Sequence, residues 1–588
     1  MIRRARLWVP VLVAALGAAC SCSSPSKVGS GANSASAAAP TPALPADRVD
    51  GLLHAAWAKQ GLTPSAPADD ATFLRRATLD LWGVLPAPEE IRSFLADAAP
   101  DKRARLMDRL LADARFSERF AVVWTDFLLG EGKPGQGVDR AAFRSWLRKR
   151  MDERAPWDSI VREILSGEGK NSPGGSLKDR AIASQAAVAE PPAEGVHGNV
   201  NYLLHYRNAV EDLTGKTSRA FLGIQIQCAQ CHDHKTEAWT TDQFKSLAAA
   251  FIKTRGVPEG GKEKGEMPII EVKDVPRAKL GPKATDAMKA IAAAPPRALD
   301  GTSLGDAERR RALADWITAK TNPTFAKAFV NRTWAQLLGS GFVEPVDDFR
   351  PGNPAALPEL LDALAEGFVA SHYDVRGLLR TLCLSDAYQR SAGPPGGLWS
   401  SFSVRPLRAE AVFDAVVAAA GLGPLVEEIA GEKADQVRAR TRSQFVLVLD
   451  VDEDAGTRRF EGSIAHALLL SNGVVTRVAA RAVEGGALFE VLRMPGGDDA
   501  KLDALYTRTL SRLPTPEERA RWKAFLADAE KTGAKGDAGR PATAVKGKAD
   551  PLARLEKRLK SRASTDRERA YEDLFWALLN SSEMAMQH

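Results

Sequence analysis

Phe325, Phe329, Val330, Thr333, Trp334, Leu337 and Leu338 fall on one stripe of a 3.6-residue period, and Gly339 follows as a helix stop. The same spacing recurs elsewhere. Phe244, Leu247, Ala248 and Phe251 repeat at i, i+3, i+4 and i+7, and Asp374 stands where an N-cap would open a helix striped by Leu378, Leu379, Leu382 and Cys383. Cys383 is therefore expected to be a small buried hydrophobe. Alternating patterns are scarce, the clearest being "QFVLVLDV" from Gln444, with a shorter strand-like "MPIIEV" from Met267. A chain so patterned folds mostly α, as helical domains with few short strands.

The first residues, "MIRRARLWVPVLVAALGAAC", place Arg3, Arg4 and Arg6 ahead of an apolar run from Leu7 to Ala19. That is the pattern of a secretory signal peptide over 1–19, too short to remain as a membrane-spanning helix. Leu16, Gly17, Ala18, Ala19 and Cys20 resemble a lipobox, so Cys20 is the expected lipidation site, with Cys22 the alternative acceptor. Residues 20–45 are rich in Ser, Ala, Pro and Gly and read as a flexible tether holding the body off its membrane. The expected protein is thus exported to the periplasm or cell envelope as a lipoprotein.

The 80 Lys and Arg against 74 Asp and Glu are dispersed, without the basic block of a nucleic-acid binder, so no nucleic-acid partner is expected. Five cysteines in 588 residues make no disulfide scaffold, and a chain this long can bury a core without staples. A Gly-, Pro- and Lys-rich stretch over 256–306 is the expected irregular linker between a helical domain over 46–255 and a second over 307–588. "KTGAKGDAGRPATAVKGKADP" from Lys531 is expected to be a disordered loop over 531–551 within the second.

"QCAQCHDHKTEAW", from Gln227, holds two of the five cysteines and two of the eight histidines. Three chemistries use such a cluster. Covalent haem c needs two thiols to meet the vinyl groups and an imidazole directly after the second, which Cys228, Cys231 and His232 supply. His234 would lie on the same face as His232 and cannot be the opposite axial ligand. Met267, in the irregular segment, is preferred for that position, with His205 and His197 as alternatives. A Zn or Fe site would draw on Cys228, Cys231, His232, Asp233 and His234, with a further ligand such as His205, and "CHDH" would set an acid and a spare imidazole beside an open position. A redox dithiol is the third reading, although the residues before Cys228 look helical where such sites usually follow a strand.

With these segments placed, the chain resembles a known pairing. "FLRRATLDLWGVLPAPEEIRSFL" from Phe73, "LMDRLLADARFSERFAVVW" from Leu106 and "FLGIQIQCAQCHDHKTEAWTTDQFKSLAAAF" from Phe221 are similar to the planctomycete-type cytochrome-c-like domain. "LADWITAKTNPTFAKAFVNRTWAQLLGSGFVEPVDDF" from Leu313 resembles the planctomycete-type domain of unknown function that commonly follows it. The resemblance implies haem but brings no established activity. Where that second domain usually has Ser-His before Pro-Glu, this chain has Ala356 and Leu357, so no role of that histidine carries over.

Other charged residues have structural readings first. Arg75, Arg76 and Asp80, one helical turn apart, are expected to bridge. Arg332 could clamp a carboxylate, sulfate or phosphate, but an internal ion pair with Asp347 or Asp348 is the expected role. Trp239 is expected in the core, or shielding a cofactor. Hydrolase elbows, phosphate loops and dinucleotide fingerprints are missing. The sequence points to extracytoplasmic electron transfer with an unidentified redox partner. The alternatives are a haem-free metal-dependent enzyme or binding protein at the cell surface, acting with a cell-surface protein or on polysaccharide, and a structural scaffold.

Overall fold

Short polar side chains set the helix boundaries. Asp69 accepts a hydrogen bond from the Thr72 amide to open Asp70–Leu81, Asn322 does so for Thr324 at Pro323–Leu338, and Asp374 for Arg376 at Val375–Leu384. Gly339, with φ of 86°, closes Pro323–Leu338 in the left-handed conformation that suits a residue without Cβ. The computed structural model describes residues 44–130, 137–207, 209–233, 237, 239–260, 264–278, 280–281, 284–394, 396–449, 474–532 and 565–588. The signal peptide, Cys20, nearly all of the tether and most of the 531–551 loop lie outside them.

The fold is mostly α-helical, as the periodicity implied. The stripe on Pro323–Leu338 is buried throughout, with Trp334 and Val330 fully so. Its Phe329 joins an aromatic stack: Trp124 lies 5.5 Å away, Trp157 4.6 Å and Phe368 5.1 Å between ring centroids. Helices on both sides of 256–306 thus contribute to one hydrophobic core. A second core gathers Ala409–Ala419, Asp498–Leu510 and Asp566–Leu579 around Leu502, Leu505, Tyr571 and Phe575, and takes in Leu79 from Asp70–Leu81. Cys383 is buried in the first core, which pushes its thiol pKa up.

The stretch 256–306, expected to be irregular, carries regular structure. Strands β1 (Gly169–Lys170), β2 (Thr254–Pro258) and β3 (Ile270–Asp274) form an antiparallel sheet in the order β1-β3-β2, and Asp286–Ala293 is a helix. "MPIIEV" thus contains part of β3. The expected strand from Gln444 is instead the end of helix Ala434–Leu449, where Phe445 packs on Phe413 with centroids 5.6 Å apart. A short apolar run satisfies a buried helical face as well as a strand, and the helix-forming residues before it decide the outcome.

The expected bridge among Arg75, Arg76 and Asp80 does not form. Arg75 donates to the carbonyls of Thr509, Glu583 and Met584 at 3.0–3.2 Å, and Arg76 to those of Tyr388, Arg390 and His588. Asp80 pairs with Arg405 at 2.6 Å and accepts from the Tyr388 hydroxyl. These buried guanidiniums tie the helix to the end of the chain, where β5 (Met586–Gln587) pairs with β4 (Arg405–Pro406). Among the described residues no single helix is long and apolar enough to cross a membrane.

Candidate functional site

Two glycines place the Cys/His turn. After helix Val210–Phe221, Gly223 takes φ of 68°, and its carbonyl accepts from the Phe349 amide at 2.8 Å. A Cβ there would meet the Phe349 ring at 2.5 Å, so only glycine permits this approach. Gly215 likewise lets the helix lie against Gln227, since a Cβ would come within 3.0 Å of that side chain. The chain then makes a short 3-10 turn, Gln227–Gln230, pinned by Ile226 and Ala229, both buried.

Cys228, Cys231 and His232 all face outward from this turn, and both thiols are free. His232 Nδ1 lies 2.8 Å from the Asp233 carbonyl oxygen, to which it donates, leaving Nε2 open. Asp233 is committed locally: its carboxylate accepts from the Thr241 amide at 2.7 Å and hydroxyl at 3.0 Å, and the backbone bond is the main reason its pKa is lowered. His234 lies outside the described residues. Among those described, no three His, Cys, Asp or Glu side chains are grouped to hold a metal ion. Two exposed thiols followed by an imidazole with a free nitrogen suit the donor set of a c-type haem. Trp239 is partly buried against the main core.

Cys228 stands on the edge of a cleft of about 1680 Å³. His205 lines the same cleft; its Nδ1 is buried without a hydrogen-bond partner, and burial, with Arg140 and Lys216 nearby, lowers its pKa. Met267 is buried elsewhere, its amide bound to the Gly175 carbonyl at 2.7 Å, and His197 donates its amide to Lys170 beside β1. Neither lines the cleft, whereas Cys228 and His205 both do.

The expected ion pair of Arg332 is absent. Asp347 instead receives Arg219 at 2.8 Å and Gln225 at 2.9 Å, and Asp348 pairs with Arg350 at 2.9 Å. Burial alone would raise the Asp347 carboxyl, but Arg219, Gln225 and Arg332 together hold it below the usual carboxylate value. Arg332 lies over the Phe127 ring, 4.0 Å from its centroid. Arg350 also reaches Glu237 at 3.2 Å, linking the segment after the motif to the loop that carries Asp348.

Sequence reading singled out Arg332 but not Arg119, Lys216, Arg219, Arg405 or Arg408, all of which line the cleft. Arg119 sits in helix Ala114–Leu129 among Arg115, Glu118 and Asp126, so no isolated charge marked it.

Residues 48–256, which include the Cys/His turn, match the family model described as PSCyt2, protein of unknown function (DUF1549). Residues 309–526 match PSD1, protein of unknown function (DUF1553). The chain has no significant match among curated proteins or solved structures. The two matches come in the order that the resemblance implied, and the chain belongs to the proteins that carry a PSCyt2 domain followed by a PSD1 domain.

Proposed function

We propose that this is an exported, lipid-anchored protein that carries one c-type haem on Cys228 and Cys231, with His232 as axial ligand, and serves extracytoplasmic electron transfer. The observation that supports it is the turn Gln227–Gln230: buried Ile226 and Ala229 fix its backbone while both thiols and the His232 imidazole stay exposed. The Asp233 carbonyl orients His232 and leaves Nε2 to bind. When bound, haem supplies a one-electron iron centre. A further ligand to the group would come from Met267 or from His205, which lines the same cleft as Cys228.

Intact mass of the protein purified from a host competent for cytochrome c maturation tests this. The expected mass is that of the processed chain plus its lipid plus one haem, retained after acid-acetone extraction. A mass without haem, accompanied by stoichiometric zinc or iron that a chelator removes, would replace electron transfer with the metal-dependent cell-surface alternative.

A further inference from the structure

The cleft beside Cys228 is larger than the about 300–1,000 Å³ of ordinary small-molecule sites, and its charge is one-sided. Arg119, Lys216, Arg219, Arg332, Arg405 and Arg408 line it, against Asp80, Asp212 and Asp347. Those carboxylates are already engaged. Asp80 pairs with Arg405, Asp347 with Arg219, and Asp212 accepts from Gln227 at 3.3 Å. Arg408 is bound to Asp126 at 3.0 Å, and the Lys216 ammonium lies 4.2 Å from the centroid of the Phe127 ring.

Arg119 and Arg332 are left over. Among the described residues neither makes an ion pair or a hydrogen bond, and the Nε of each is shut off from solvent. The chain's fully buried arginines are held differently. Arg75 and Arg76 each donate to several carbonyls, Arg310 holds Asp274 at 2.9 Å, and Arg144 holds Glu118. Arg119 and Arg332 are only partly buried, with Nε covered and the rest of each fork left without a protein partner at the cleft, so both are free to take a partner from outside the fold. The planar fork of arginine matches a carboxylate or sulfate through paired N–H bonds.

We propose that the cleft binds a small oxyanion ligand, a dicarboxylate or a sulfate, through Arg119 and Arg332. Trp124 and Phe127 provide the apolar wall beside them. The proposal does not depend on haem attachment. Haem would nonetheless bring carboxylates of its own, so the test separates a soluble anion from the haem propionates.

The probes are succinate and inorganic sulfate, titrated at constant ionic strength into the purified full-length protein and into its Cys228→Ser/Cys231→Ser form, with Tm and calorimetric heat as readouts. A saturable rise in Tm in both forms assigns the site to a soluble anion. A rise confined to the Cys-free form assigns it to the haem's own carboxylates. Arg119→Gln and Arg332→Gln should each weaken the response about tenfold or more, the worth of a lost charge-assisted pair. Without probe, each variant should stay folded with a Tm close to wild type, because both side chains are only partly buried. The proposal fails if neither form responds, or if the variants respond like wild type.

Discussion

The ring of Phe329 stacks on that of Trp124, centroids 5.5 Å apart and planes within 18°, although one residue belongs to the PSD1 match and the other to the PSCyt2 match. Each also contacts Trp157. The aromatic stack is therefore a joint between the two matched regions, and removing one ring should be felt in both. Phe329→Ala should cost about 3–5 kcal/mol. In denaturant, followed by tryptophan fluorescence, the transition reporting Trp124 and Trp157 should move to lower concentration. If only a separate, later-region transition moves, the stack does not couple the two.

Trp334 offers a more graded test of the same helix. It is fully buried between Phe342 and Trp399, with centroids at 4.6 and 5.0 Å, yet its indole N–H has no partner. Trp334→Ala should cost about 3–5 kcal/mol or leave the protein insoluble. Trp334→Phe keeps a ring and removes the orphaned donor, so its loss in thermal midpoint should be distinctly smaller. Equal losses for the two would mean that the N–H has a partner in solution.

Much of the helical framework was legible because local rules decide it. The stripe of Pro323–Leu338, the Gly339 stop and the Asp374 cap depend on residues a few places apart, and all are present. What could not be read was partner choice across the chain. Arg75 sits one turn from Asp80, yet it bonds carbonyls more than four hundred residues away, because burial rewards several fixed acceptors over one mobile carboxylate. Arg332 likewise lost Asp347 to Arg219, which approaches from helix Val210–Phe221. The Cys/His motif was plain in the sequence. The cleft beside it was not, since its walls run from Leu79 to Gln587.

Asp347 should make stability sensitive to acid. Its folded pKa lies below the ordinary 3.8 of an unfolded aspartate, so its contribution is fully present above that value and is lost as pH falls through the folded pKa. The Tm difference between wild type and Asp347→Asn should therefore be largest near neutral pH and shrink below about pH 4. A difference that stays constant from pH 7 to below the folded pKa would show that the carboxylate charge plays no part.

The anchor can be checked by fractionation. If Cys20 is acylated, the protein should partition into detergent, and Cys20→Ser should release it to the soluble fraction. Identical partitioning of both forms would remove lipidation at Cys20 from the account.

The Cys/His turn allows the sharpest distinction, because its three exposed side chains have different duties under the two chemistries. With haem attached, Cys228→Ser/Cys231→Ser should abolish covalent haem staining on a denaturing gel. His232→Ala should disturb the reduced absorption bands while leaving some covalent haem, since thioether formation and axial ligation use different atoms. His205→Ala should alter the spectrum without releasing haem if that imidazole binds the iron, and Met267→Ala should leave it unchanged. Under a zinc or iron site the order inverts. No haem stain is present in any form, a chelator removes the metal, and His234→Ala weakens retention at least as much as His232→Ala. The ranking of His232→Ala against His234→Ala therefore discriminates the chemistries even in preparations where the cofactor is only partly incorporated.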